Sequence, residues 1–255
     1  MTARVLRSRL KPAAISPRHP GGSTALPSNV AYRLGKLEGM GIIAGRRWLD
    51  CGCAEGGYSI GLADRGASHV TGVDPIGARI ETARRMAVGR PIEFLVHGAE
   101  SMPFPDAAFD GVLLNEVLEH VADEEQTLAE LHRVLAPGGY LALFSPNRWF
   151  PFEGHGIAVR GRDLRFPVPW VPWLPIALTG RYLVARNYWP HELQRLVLDA
   201  GFAVERHAFA FPVLEVYPWL PRKAIGWFRQ LVPLFERLPV VRRFGVSNFI
   251  LARRP

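Results

Sequence analysis

Two groups of residues have the types and spacing to do chemistry. The first is LDCGCAEGG, Leu49 to Gly57, where Asp50 closes an apolar run and Gly52 and Gly56 follow. Glycine at such places permits tight backbone geometry and close approach of a ligand to the main chain. A dinucleotide fold seats a pyrophosphate on G-x-G-x-x-G. Here the glycines fall as G-x-x-x-G-G, Ala54 stands at the third position, and Glu55 puts an anion where a phosphate would sit. With Asp50 adding another, the loop suits a cationic ligand and is poorly suited to an anion. A further carboxylate, Asp74, ends VTGVD twenty-four residues after Asp50. An acid at the tip of the second strand is placed to accept both hydrogens of a ribose diol. Nicotinamide enzymes also carry an acid there, so Asp74 alone does not choose between ligands.

The second group is Glu116, Glu119 and His120, spaced i, i+3, i+4. If that segment is helical, the three share one face. Such a face presents His120 as a base, binds Mg²⁺ or Zn²⁺, or packs His120 structurally, and the spacing leaves all three open. His155, Tyr188 and His191 lie in a variable segment, where each either lines an acceptor pocket or packs.

These residues must be held by regular elements. From Arg47 the pattern is strand, Gly-rich turn, helix, strand, repeated: RRWLDCG, a helix from Tyr58 to Arg65, HVTGVD, a helix from Ile76 to Val88, IEFLVHG and FDGVLLNE. A helix from Glu124 to Leu135 then carries Leu128, Leu131, Val134 and Leu135 at helical spacing, and PGGYLALFSPN is a fifth strand. Strands alternating with helices predict an α/β fold, a doubly wound parallel sheet covered on both faces. Ligands of such a sheet bind beyond the carboxyl ends of its strands, where the LDCGCAEGG turn and Asp74 fall. A helix is also expected from Asn29 to Gly39, with Ser28 as its N-cap.

Residues 1–27 are rich in Pro and Gly and are expected as a flexible basic arm, leaving 28–255 as one domain. Within it 47–147 forms the ligand-binding core, and 148–190 and 212–245 are variable lid or substrate segments. PVPWVPWLPIAL has too many prolines for a regular helix. A helix from His191 to Gly201, a strand FAVERHAF, a basic amphipathic helix from Arg222 to Leu238 and a strand SNFILARRP complete the chain.

The net charge of +8 over 255 residues is uneven: Met1 to Leu37 holds seven basic and no acidic residues, Glu38 to Trp149 nine and sixteen, and Phe150 to Pro255 fifteen and seven. Basic termini attract phosphates, nucleic acid or anionic lipid, or are a solvated surface. The tryptophans Trp149, Trp170, Trp173 and Trp189, and Trp219, Trp227, Phe228, Leu231 and Phe235 beside Arg222, Lys223 and Arg229, suit a membrane interface or a core beneath a basic face. Cys51 and Cys53 are the only cysteines, which excludes a disulfide framework and fits a reducing compartment. No run of eighteen apolar residues and no apolar leader are visible, so a cytoplasmic protein is expected, with peripheral membrane contact as one of its interactions.

The stretch from Arg47 to Asn147 resembles the core of class I S-adenosylmethionine-dependent methyltransferases, in the group of small-molecule enzymes related to quinone and sterol modifiers. LDCGCAEG is similar to that family's D-x-G-x-G-x-G, with Ala54 replacing the middle glycine. VTGVDPIGARIETAR, HGAESMPFPDAAFDGVLLNEVLEHV and AELHRVLAPGGYLALFSPN resemble its later motifs in order. The resemblance implies a Rossmann-like, mostly parallel seven-stranded sheet with an antiparallel last strand, and S-adenosylmethionine as cofactor. It implies that Asp50, Gly52, Cys53, Ala54 and Gly56 hold the methionine part, that Asp74 holds the ribose, and that Pro75 or Ile76 packs on the adenine. Ala99 and Glu100 would meet the adenine edge; Gly98 stands where the family often has an aspartate to accept from the adenine amine. Asn115 and Glu116 would lie near the methionine and the reacting centre. Glu116 and His120 are then the catalytic candidates, with no metal assigned.

The implied reaction is methyl transfer to a small-molecule acceptor, with oxygen of a lipid-like, quinone-like or glycan acceptor preferred. A nucleic-acid methyltransferase is a competing reading, lowered by the lack of a recognisable RNA-binding module, so nucleic acid is not an expected partner. A non-catalytic cofactor-binding protein and a nicotinamide oxidoreductase are the others, the last opposed by the absent G-x-G-x-x-G.

Overall fold

The computed structural model describes residues 26–159, 162–164, 167–216 and 220–255. The expected basic arm therefore lies outside the described residues except for its last two positions, as does Trp219.

The first helix, α1, is Pro27–Glu38, and it starts two residues earlier than the sequence suggests. Its N-cap is Leu26 and no side chain caps it, so Ser28 is not the N-cap. Proline at the first helical position explains this: its missing N–H needs no partner and its ring presets the helical φ. Five parallel strands with intervening helices follow: β1 Arg47–Cys51, α2 Gly57–Ala63, β2 His69–Asp74, α3 Gly77–Met86, β3 Ile92–Val96, β4 Phe109–Asn115, α4 Glu124–Val134 and β5 Leu135–Pro146. Asp123 starts α4, accepting from the Gln126 amide at 2.9 Å.

The insert after β5 holds short strands β6 Phe152–Glu153, β7 Ile157–Val159, β8 Arg162–Leu164 and β9 Val168–Pro169, and a one-turn helix α5 Ile176–Thr179. Strand β6 pairs with β9 and β7 with β8. Arg148 ties the insert down, donating to the carbonyls of Pro172 and Leu174 at 2.5 and 2.6 Å. Helix α6 Pro190–Asp199, β10 Ala203–Ala210, α7 Arg222–Arg237 and β11 Ser247–Arg253 complete the described chain.

The main sheet has seven strands in the order β10-β11-β5-β4-β1-β2-β3, and β11 runs antiparallel to both its neighbours. Alternate residues of the central strands feed two cores. Leu49, Val112 and Leu114 join Leu128, Leu131, Leu193 and Val197 from α4 and α6 on one face. Trp48 and Leu113 join Leu34 and Leu37 of α1 and Leu62 of α2 on the other. After β3 the chain returns across β1 to form β4, so the order reverses between these two central strands. Ligands of open α/β sheets lie at such a switch point, here where Cys51 of β1 pairs with Leu114 of β4. Among the described residues no helix is long and apolar enough to cross a membrane.

Candidate active site at the carboxyl ends of the central strands

The turn after β1 folds back on the end of β2. The amides of Gly52 and Cys53 both donate to the Val73 carbonyl, at 2.8 and 2.9 Å. Gly52 has φ +80°, and a Cβ there would come within 2.3 Å of Val117 Cγ2, so both conformation and space require glycine. Ala54 has φ +48°, the left-handed region that a side chain disfavours. Gly56 is also left-handed and caps α2. Asp74 accepts from the Ala54 amide at 3.2 Å and the Ile76 amide at 2.9 Å, which joins the two carboxylate-bearing turns. Pro75 is exposed beside it and Ile76 half-buried.

Three acids gather here. Asp50 is buried and accepts from the Ser59 hydroxyl at 2.6 Å. Burial pushes its pKa up to about 7, against the hydrogen bond from Ser59. Asp74 is raised as well, by burial, while backbone amides and Arg79 work the other way. Arg79 approaches both Glu55 and Asp74, at 3.7 and 3.8 Å. Two acids held above their ordinary values favour a cationic ligand, whose charge would restore ionisation. Ala99 is buried in the core, and the Glu100 carboxylate accepts from the Ala122 amide at 3.1 Å. Cys51 and Cys53 are free and buried, and burial raises both thiols.

Asn115 and Glu116 stand at the end of β4, and Arg33 of α1 reaches both, at 2.6 and 2.8 Å. Its other nitrogens donate to Asn29 at 3.2 Å and to the Ser247 hydroxyl at 2.9 Å. Glu116 also accepts from Ser247 at 2.5 Å. Burial disfavours its charge, but Arg33 and Ser247 outweigh burial and hold its pKa below the usual carboxylate range. Glu116 has φ +54°, a strained conformation of the kind that clusters at functional sites.

Residues 117–123 form a turn rather than the helix that would have put Glu119 and His120 on one face. The turn nonetheless brings them together, and the insert adds His155. His120 Nε2 and His155 Nε2 lie 4.0 and 3.8 Å from Glu119 Oε1, and the two rings meet edge-to-face at 5.2 Å. Glu119 is fully buried, and its Oε1 has no hydrogen-bond partner. Burial and the neighbouring Glu116 push its pKa well above the ordinary value, so the environments of the two carboxyls drive their pKa values apart. His155 is oriented by the buried Glu153, which accepts from its backbone amide at 3.0 Å and lies 3.5 Å from Nδ1. Burial opposes the charge on His155, and Glu153 and Glu116 outweigh it, so its pKa is raised. Ligand atoms of Glu119, His120 and His155 all lie within 4.8 Å of one another, a set able to hold a metal ion.

A family model described as a methyltransferase domain matches residues 49–143. The demethylmenaquinone methyltransferase of Thermus thermophilus is 33% identical over 187 residues, covering 68% of this chain and 82% of that protein. The chain belongs to the class I S-adenosylmethionine-dependent methyltransferases. The ubiquinone biosynthesis O-methyltransferase of Rhizobium etli is 31% identical over 215 residues, covering 84% of this chain and 75% of that protein. Against several other curated relatives the chain spans about half their length. An S-adenosylmethionine-dependent methyltransferase from Mesorhizobium loti superposes with a TM-score of 0.61 at 19% identity, covering 88% of this chain and 98% of that chain, which speaks for the fold.

S-adenosylmethionine is the cofactor of this methyltransferase family, and the residues present fit it: carboxylates raised by burial await a cation beside a turn that only glycine can make at Gly52. Of the acceptor-side candidates, His155 joins Glu119 and His120, His191 is exposed on α6, and Tyr188 is buried in the core. Arg33 and Glu153 are the site residues that sequence reasoning missed. For Arg33 a signal existed: it falls in the stripe of Val30, Leu34 and Leu37, on the buried face of α1. Nothing local marks Glu153.

Proposed function

We propose that this methyltransferase transfers its methyl group to a hydroxyl oxygen of a quinone-like or related lipid-like acceptor. The observation that carries the reading is the pair of imidazoles, His120 and His155, that meet edge-to-face at 5.2 Å around Glu119, just past the end of β4. Methyl transfer from a sulfonium is an in-line displacement with a good leaving group, so alignment and exclusion of water do most of the work. A hydroxyl acceptor must still lose its proton, which needs a base within reach. His120 Nε2 takes that proton in this reading. Glu116, ionised and tied to Arg33, is a poor base and instead fixes α1 and β4 around the methionine end. Asp50, Gly52, Cys53, Ala54 and Gly56 hold the methionine part, Asp74 the ribose, and Pro75, Ala99 and Glu100 the adenine. The names of the Thermus and Rhizobium relatives favour a quinone-like ring over a glycan. Such an acceptor resides in lipid, so the enzyme works on the cytoplasmic side at a membrane surface, without nucleic acid as a partner.

A second reading rests on Glu119 Oε1, buried without a hydrogen bond between the two imidazoles. One oxygen and two nitrogen donors suit a divalent ion such as Zn²⁺. Such an ion would lower the acceptor hydroxyl's pKa. Metal analysis before and after chelation, with activity measured on both, separates it from the first reading.

The experiment on the acceptor supplies labelled S-adenosylmethionine with a demethylated quinol, a polyhydroxylated sugar and bulk RNA. Label in an O-methyl ether of the quinol is expected. Label on ring carbon or in RNA would overturn the assignment.

A further inference from the structure

Helix α7 has two apolar stripes instead of one. Ile225, Phe228, Val232 and Phe235 are half-buried and face the body, where the Phe235 ring packs against Phe211 at 5.7 Å. Trp227, Leu231 and Leu234, with Leu238 just past the end, recur at steps of four, three and four. On a 3.6-residue helix they fall within about 60° of one another. This stripe faces solvent: Trp227 is 75% exposed and Leu234 50%. No residue of α7 is buried. A bare stripe of this kind marks an interaction surface rather than a core.

Charge says what the surface meets. From Arg222 to Arg243 there are six basic residues and one acid. Arg222, Lys223, Arg229 and Arg237 occupy the third of the helix between its two stripes. The one acid, Glu236, turns inward to Tyr32 and to Lys36, the latter at 2.5 Å. Among the described residues, the other ion pair of this segment is Arg229 with Glu215 at 3.3 Å. The apolar surface also continues beyond the helix. Phe244 packs on Trp149 at 6.0 Å, the Trp173 indole donates to the Trp149 carbonyl, and Trp173 meets Trp170 at 4.9 Å. An outward apolar stripe bordered by bases, with tryptophans alongside, is the composition of a helix lying in a lipid–water interface. A second copy of the chain would set this cationic segment against itself across a two-fold axis, where like charges oppose docking.

We propose that α7 docks in the plane of an anionic lipid surface, with Trp227, Leu231, Leu234 and Leu238 entering the acyl boundary and the bordering arginines and Lys223 on the headgroups. The inner side of α7 is bonded to Tyr32 and Lys36 of α1, the helix that sends Arg33 into the site. The docked surface is therefore one helix away from the catalytic end of the sheet.

The test is co-sedimentation of the full chain with phosphatidylcholine vesicles, with and without phosphatidylglycerol, requiring neither cofactor nor acceptor. Binding that depends on phosphatidylglycerol is expected. Trp227→Gln with Leu234→Gln should weaken it more than about tenfold, since each loses a buried apolar side chain. Lys223→Gln should weaken it about fivefold and reduce its salt dependence. These residues point outward, so a melting curve should be unchanged; the pair also separates α7 from basic residues elsewhere. Absence of binding to either vesicle, or binding that the paired variant leaves intact, would overturn the proposal. So would a dimer dispersed by that variant in a protein that ignores lipid. Failure here would leave the methyltransferase reading untouched, since that rests on different residues.

Discussion

Arg33 donates to the Glu116 carboxylate across 2.8 Å, with the two side chains only 4% and 10% exposed, so one ion pair joins the first helix to the end of the central strand β4. Breaking a buried pair from one side leaves an uncompensated charge, at a cost of about 3–5 kcal/mol. Arg33→Ala should lose that much in urea unfolding at neutral pH, and Arg33→Lys should recover part of it. Glu116 has a lowered pKa in the folded chain, so its stabilisation is present above the ordinary value of 4.5 and is lost as pH falls through the folded value. In Arg33→Ala this contribution to the acid dependence should disappear.

Asp50 is expected to make cofactor binding pH-dependent. Its pKa of about 7 without ligand means that it must lose a proton before it can meet a cation. Affinity for S-adenosylmethionine should therefore rise with pH, by about tenfold from one unit below that value to one unit above, as linkage requires. Asp50→Asn should bind weakly and with a flat profile in calorimetry across that range.

The first turn carries a strained residue that the family's glycine would relieve. Ala54→Gly removes a left-handed alanine, worth roughly 1–2 kcal/mol, against about 0.4–1 kcal/mol of added unfolded-state entropy. A net gain of about 0.5–1 kcal/mol is expected from the urea midpoint. Gly52→Ala should do the opposite and abolish cofactor binding, because its Cβ would strike Val117.

The sheet was legible because its strands are apolar runs closed by Gly, Asp or Asn, with Leu49 and Val112 on one face and Trp48 and Leu113 on the other. The cofactor turn was legible because its letters follow one another along the chain. The acceptor side was less so, since His155, which meets Glu119 and His120, lies thirty-five residues beyond His120, in the insert after β5. The turn at 117–123 escaped a helical pattern because the i, i+3, i+4 spacing is satisfied equally by one tight turn. Helix α7 was expected as a single amphipathic face, with Trp227, Phe228, Leu231 and Phe235 together. Its two stripes separate only when the packing of Phe235 on Phe211 shows which side is inward.

His120 is expected to matter for turnover and not for cofactor affinity. A general base contributes about 10²–10⁴-fold. His120→Gln should lower kcat by that order while leaving S-adenosylmethionine binding unchanged, and a loss confined to binding would remove it from the base role.

The central claim is that the turn from Asp50 to Gly56 and the carboxylate of Asp74 hold S-adenosylmethionine. Titration calorimetry with S-adenosylmethionine, S-adenosylhomocysteine and NADH, on the unaltered chain and on Asp74→Ala, tests it most directly. Micromolar binding of both sulfur ligands, lost in Asp74→Ala, and no binding of NADH are predicted. Binding of NADH alone would contradict the account and return the glycine turn to the dinucleotide enzymes.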